Sequence, residues 1–439
     1  MSAVLHRLQS LIGDSPTKPL KGTTTAWEFS NALAQRDFNT LVRMHSVINM
    51  EYSVISTRLV HEVARKRNPS KKLQKGRKKA LTENLIAALA LSELLAHMYC
   101  NYLYVPQEME HLQKEQDYYR KLLAKRGFTF HAIPQYKVKP AFSYTQKVRG
   151  TTVQLNFPRL FAIRIRRILI TLLPLLQAYE SYCRLITYFD KAAGPFFGYL
   201  AWAFFVPRLA VNLFLIVKHL IPLPGFCGEK ERQLSVYTRL IGQLQRRWFE
   251  VGNDAVWMLS GLLACFVLTG VLAPVAMYFT LGAFLFDVVW AGLRAVIELK
   301  RIKTMLDGYE ALALTLKGDE LDDLKAQQAA LKARFAFEQK RMLLAVVSTT
   351  AIFLAMCFAI PALAANPVVP FVGAVLVLIV TFATFVASRQ LEKQRPNDKV
   401  DERFYRKAAS IFSGPHVLFK PEAKTPEKII LNANTLVVS

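Results

Sequence analysis

The sequence predicts an all-α fold, a polytopic helical membrane protein with a soluble N-terminal helical domain and charged helical arms. Three observations carry that reading. Between Arg341 and Arg389 lie 47 consecutive residues without a charge, in a chain that holds 57 Lys plus Arg. A soluble core helix keeps polar positions on one face, whereas a ~30 Å hydrocarbon layer takes about 20 apolar residues per crossing, so this run accommodates two crossings and a turn. Second, 52% hydrophobic residues coexist with 20% charged ones, and the two kinds occur in separate blocks. Third, the turns inside the apolar blocks carry no charge while the segments between the blocks are basic, which the positive-inside rule reads as hairpins returning to one side.

Residues 1–157 read as the basic N-terminal domain. The first twenty residues lack an apolar h-region, so no cleaved signal is expected. Thr25 and Glu28 have the T-x-x-E form of a capping box. Ile48, Tyr52, Ile55, Leu59 and Val63 then recur at steps of three and four, one face of an amphipathic helix. Further helices are expected near 81–104 and 106–125, and residues 126–157, with Pro134, Pro140 and Gly150, read as irregular or short β structure.

Residues 158–228 combine a basic helix whose apolar middle is only about a dozen residues long with a second apolar stretch, Gly194 to Gly225. The first is expected to lie along the membrane interface. The second has Pro207-Arg208 at its centre, and a straight crossing would put Arg208 mid-membrane at an insertion penalty of at least ~2.5 kcal/mol. A re-entrant hairpin or a pair of short helices fits as well, and an even number of crossings keeps every basic segment on one side.

Residues 229–297 read as a charged helix followed by a transmembrane hairpin bent at Ala273-Pro274. Residues 298–341 read as an antiparallel coiled-coil arm broken at Lys317-Gly318-Asp319, a surface for a protein partner or self-association. Residues 342–389 form the last transmembrane hairpin, turning at Asn366-Pro367, and 390–439 a basic tail.

The net charge of +25 suits anionic surfaces. Arg65, Lys66, Arg67, Lys71, Lys72, Lys75, Arg77, Lys78 and Lys79 fall within fifteen residues that contain no acid, a candidate contact with membrane lipids and their anionic headgroups. Nucleic acid is the less favoured partner, since no aromatic residue interleaves the run for base stacking. Asp287 lies about a dozen residues into a hairpin arm; such a group marks a transport or proton-relay site, or sits near the headgroups beside Arg294 if the span is short. Glu108 and His111 have Glu-x-x-His spacing, supplemented by Glu93 and His97, but the second motif of a di-iron bundle is missing. The five cysteines and eight histidines fall in no zinc spacing, and no phosphate loop, nucleophile elbow or H-E-x-x-H occurs, so neither cofactor nor catalysis is expected.

The phrases FFVPRLAVNLFLIVKHLIPLPG (204–225) and LQRRWFEVGNDAVWMLSGLLACFVLTGVLAPVAMY (244–278), with the charged pair at 296–341, are similar in texture to uncharacterised multi-pass, coiled-coil-containing membrane proteins of Legionella-type intracellular bacteria. The resemblance covers roughly 155–390. It implies a bacterial membrane protein, with export into host membranes through a type IV secretion system as a further implication. It brings no assigned active residue.

Three functional expectations follow. The leading one is a non-enzymatic membrane scaffold displaying helical arms and a polybasic domain on the cytoplasmic face. The second is a transporter or channel component using Asp287 and Arg208. The third is a membrane-tethered nucleic-acid binder.

Overall fold

The computed structural model describes residues 3–12, 24–25, 37–65, 71–130, 143–360, 363 and 365–413. Among them the fold is all-α apart from one pair of two-residue strands. Helix α1 (Ala3–Ile12) precedes strand β1 (Thr24–Thr25), which pairs in parallel with β2 (Thr129–Phe130). Thr25 therefore lies in a strand and not at a helix start, and the rest of its expected capping box falls outside the described residues. Asp37 caps the first long helix instead, its carboxylate accepting from the Asn39 N–H at 3.2 Å.

Helices α2 (Phe38–Ala64), α3 (Lys71–Met98) and α4 (Pro106–Ala124) form the N-terminal unit. Leu41, Ile48, Ile55 and Leu59 of α2, Leu81, Leu85 and Leu94 of α3, and Tyr119, Leu122 and Leu123 of α4 bury one core. The three-and-four spacing read in α2 is the stripe that reaches it.

Six helical passes follow: α5 (Ser143–Leu172), then α6 (Glu180–Ala203) running on into α7 (Phe205–Leu220), then α8 (Val236–Leu262), α9 (Ala273–Ala313), α10 (Asp319–Cys357) and α11 (Val368–Lys393). Five of these passes, all but α5, are long and apolar enough to cross a membrane. Neighbours run antiparallel. Arg166 of α5 meets Asp190 of α6 at 2.6 Å, and Arg149 meets Asn212 of α7. Phe205 of α7 stacks on Trp257 of α8, and Trp290 of α9 donates to the Phe249 carbonyl. Ile302 and Tyr309 of α9 pack with Leu331 and Leu324 of α10. Gly373 of α11 lies against Phe358 just beyond α10, and Phe385 stacks on Phe157, which closes the ring back onto α5. The turns at 173–179, 263–272 and 358–367 thus share one end, and the N-terminal unit lies at the other.

Three differences from the sequence expectation have physical causes. The segment expected at the interface is part of the 30-residue α5, which starts at Ser143 within the stretch read as irregular, and it is one arm of a hairpin with α6. Its arginines shorten the apolar count, but Arg159, Arg164 and Arg167 line the interior of the ring and Arg166 is paired with Asp190. Pro207-Arg208 is not the turn of a re-entrant hairpin, because Pro207 falls in the first turn of α7, where a missing N–H breaks no helical bond. The 194–225 stretch therefore lies in one pass and not an even number, and the helices apolar enough to cross number five among the described residues, with α5 as a sixth, less apolar member of the ring. Finally, the paired helices at 298–341 do not project freely. Val54 of α2 and Ala3 of α1 fill their seam, and Glu51 ties Arg7 (2.8 Å) to Tyr309 (2.6 Å). The segment after α11 returns as well: α12 (Glu402–Ser413) buries Phe404, Ala408 and Ala409 in the N-terminal core, so the first part of the expected basic tail is structural.

The apolar surface is distributed unevenly. Every large hydrophobic side chain found exposed among the described residues lies between Val153 and Val386, on the six-pass region. The N-terminal unit is apolar inside and the ring is apolar outside.

Candidate functional site

At the centre of the ring is a cavity of about 400 Å³ to which all six passes contribute. Asn156, Arg159, Ile163, Arg164 and Arg167 come from one face of α5, Phe205 and Arg208 from α7, and Asn253 and Trp257 from α8. Thr280, Phe284 and Asp287 of α9, Thr349 and Met356 of α10 and Val377 of α11 complete it.

Its charges are unequal. The Arg208 guanidinium lies 3.0 Å from the carboxylate of Asp254, which is wholly buried behind the wall and also accepts from the Asn212 amide at 3.2 Å. Asp287 accepts the Trp257 indole N–H at 3.0 Å on both oxygens. Arg159 sits 4.2 Å above the Phe204 ring and 5.0 Å from Phe205, and donates to the Asn156 side-chain oxygen at 3.3 Å. Arg167 turns to the Met356 sulfur. Arg164 lines the cavity at 9% exposure, with no carboxylate or carbonyl partner among the described residues. Four guanidiniums thus face two carboxylates, one of which is already committed to Arg208.

A guanidinium in a low-dielectric interior needs a counter-charge and acceptors for its planar fork of donors. Carboxylate or phosphate oxygens fit that fork bidentately. Arginine is no metal ligand, so the donor set selects an anion. The aromatic wall of Phe205, Trp257 and Phe284, with Trp257 edge-on to Phe284 at 4.9 Å, leaves the rest of the chamber apolar. Size and lining match a small-ligand site with a few convergent polar groups.

Of the residues singled out in the sequence, Arg208 and Asp287 line this cavity together, though each has a different partner. Sequence reasoning missed Arg159, Arg164, Arg167 and Asp254. The signal for the three arginines is the positions 156, 159, 163, 164 and 167, which share a face once α5 is taken as one continuous helix, and Asp254 on α8 has none.

The polybasic stretch is less free than its composition implies. Arg77 donates to the carbonyls of Glu62 and Arg65, Lys78 to that of Phe412, and Lys79 pairs with Asp319 of α10 at 3.2 Å. Lys75 is exposed, and Arg65 follows the last turn of α2. Lys66 and Arg67 lie outside the described residues, while Lys71 and Lys72 open α3. Of the Glu-x-x-His motif and its supplement, His111 lies 3.6 Å from Glu115, Glu93 pairs with Arg120 at 2.8 Å and the His97 ring bonds the Asn101 amide at 3.1 Å, so these three take separate partners.

No family model, curated protein or solved structure matches the chain.

Proposed function

We propose that the chain is an integral, multi-pass membrane protein that binds an anionic group in the arginine-lined cavity and moves it across, or along, the bilayer. The transporter reading is supported best by one observation: Arg164, nine-tenths buried, opens into a central chamber with three other guanidiniums and has no charged partner among the described residues. Charges at such depth in a membrane protein carry a penalty that function has to justify, and they face a bundle interior or water-filled path. The belt of exposed apolar side chains supports insertion of the ring in a bilayer, with the N-terminal unit and its basic surface on the cytoplasmic side by the positive-inside rule.

The scaffold reading retains the charged outer faces of α9 and α10 as its partner surface, because the apolar seam between them is occupied by α1 and α2. A bacterial origin and export to a host membrane belong with that reading and rest on textural resemblance.

The test is flux. Purified full-length protein in phospholipid vesicles is assayed for uptake of labelled inorganic phosphate and succinate, with Arg164→Gln as comparison. Uptake above protein-free vesicles that drops at least tenfold in the variant supports the proposal. Uptake of both probes no faster than through protein-free vesicles counts against a water-soluble anion as the cargo, and with no preference for an anionic lipid either it counts against the anion site itself.

A further inference from the structure

We infer that the anion is the acidic head of a membrane amphiphile, a phosphate- or carboxylate-bearing lipid, admitted sideways from the bilayer between α8 and α9. The inference rests on the anion-site reading above and names its substrate class.

The α8–α9 seam differs between its two halves. Towards the N-terminal unit it is sealed by Trp290, which stacks on Phe249 and lies edge-on to Trp248 with ring centroids 4.6 Å apart. Towards the turns it parts into a groove of about 390 Å³, lined by Val256, Leu259 and Leu263 on one side and Tyr278, Phe279 and Gly282 on the other. Leu259 is 57% and Phe279 48% exposed, so the groove opens on the outer, apolar face of the ring. A Cβ placed on Gly282 would meet no other atom within 4 Å, which leaves that wall clear.

Groove and cavity lie at the same depth on opposite sides of one layer of side chains. Val256 lines the groove and Trp257 the cavity; Phe279 lines the groove and Thr280 the cavity. Between groove and cavity lie the buried Ser260 and Ala283 on the groove side and the edge-to-face pair of Trp257 and Phe284 on the cavity side, with Trp257 held by its bond to Asp287. A soluble anion has no use for an apolar groove open to acyl chains. An amphiphile uses both, its head meeting the guanidiniums while its chain stays in apolar surroundings in the groove. Charge complementarity on one side and apolar lining on the other therefore select the same occupant.

The test places the full-length protein in zwitterionic nanodiscs containing a minor fraction of phosphatidylglycerol or phosphatidylcholine with brominated acyl chains, which quench indole fluorescence on contact. The Trp257 signal is the difference between the protein and its Trp257→Phe variant. Quenching several-fold stronger with the anionic lipid, and reduced to the zwitterionic level by Gly282→Leu and by Arg164→Gln, supports the inference. Gly282→Leu fills open space and Arg164→Gln breaks no pair, so both variants retain the fold. Equal quenching by the two lipids, or an anionic excess that survives both substitutions, overturns it. Arg164-dependent uptake of inorganic phosphate or succinate without any lipid preference makes the cavity a soluble-anion site and overturns this inference alone. Absence of both signals overturns the anion-site reading as well.

Discussion

Arg208 and Asp254 form an ion pair that joins α7 to the wall behind the cavity, 3.0 Å apart, with the carboxylate wholly buried and held a second time by Asn212. The pair explains how an arginine sits within an apolar pass, since its charge is matched on the facing helix.

Asp254→Asn is therefore expected to destabilise the protein by about 1–3 kcal/mol, because it leaves a half-buried guanidinium without its counter-charge. Thermal unfolding in detergent measures this. The double variant Arg208→Gln with Asp254→Asn is expected to recover a substantial part of the loss, since no unmatched charge remains. Strictly additive losses would show that the two residues are not coupled.

His45 gives a pH dependence with a defined sign. Its ring bonds the Tyr99 hydroxyl at 2.8 Å, and burial together with the nearby Arg246 and Arg301 charges pushes its pKa down to about 3. The unfolded chain takes up the proton near the ordinary value of 6.5. The resulting stability is thus complete above that value and declines as pH falls from there towards 3, by up to about 1.4 kcal/mol per pH unit. His45→Gln removes this contribution, so the gap between the two proteins' unfolding curves is expected to narrow on acidification to about pH 5. A constant gap contradicts the assignment.

Much of the architecture was legible before the structure. The charge-free runs, Asn366-Pro367 and Gly318, where φ is +61°, mark real turns, since apolar length and turn chemistry are local properties. The pass formed by α5 was not legible. Its arginines look like interfacial residues until Asp190, Phe204 and the cavity are placed beside them, and those neighbours are distant in sequence. The same holds for the site: Arg208 and Asp287 were legible as isolated charges in apolar runs, but their partners Asp254 and Trp257 follow only from the antiparallel register of α7, α8 and α9. The docked arms could not be foreseen either, because their seam is filled by α1 and α2, hundreds of residues away.

Gly228 is expected to tolerate no side chain. A Cβ there would lie 2.3 Å from the Asn101 carbonyl oxygen, backbone against backbone, where the 221–228 connection docks on the turn after α3. Gly228→Ala is predicted to lower stability by about 1–3 kcal/mol. Proteolysis should also reach the connection sooner, and unchanged cleavage would show that the docking is loose.

Topology is checked with single cysteines on a cysteine-free background. Lys75→Cys at the N-terminal unit and Val271→Cys at the 263–272 turn, where Val271 is 96% exposed, are expected to label from opposite sides of a sealed vesicle. Asn366→Cys should follow Val271→Cys. Labelling of all three from one side contradicts the hairpin arrangement.

The most direct measurement compares Arg164→Cys with Ile165→Cys in reconstituted, cysteine-free protein treated with a charged, membrane-impermeant thiol reagent. Arg164 opens into the cavity, whereas its neighbour Ile165 does not line it and is 37% exposed. The predicted result is fast modification at 164, slowed by an anionic ligand, with position 165 protected by lipid. Modification at 165 with none at 164 would contradict the inward-facing arginine cavity.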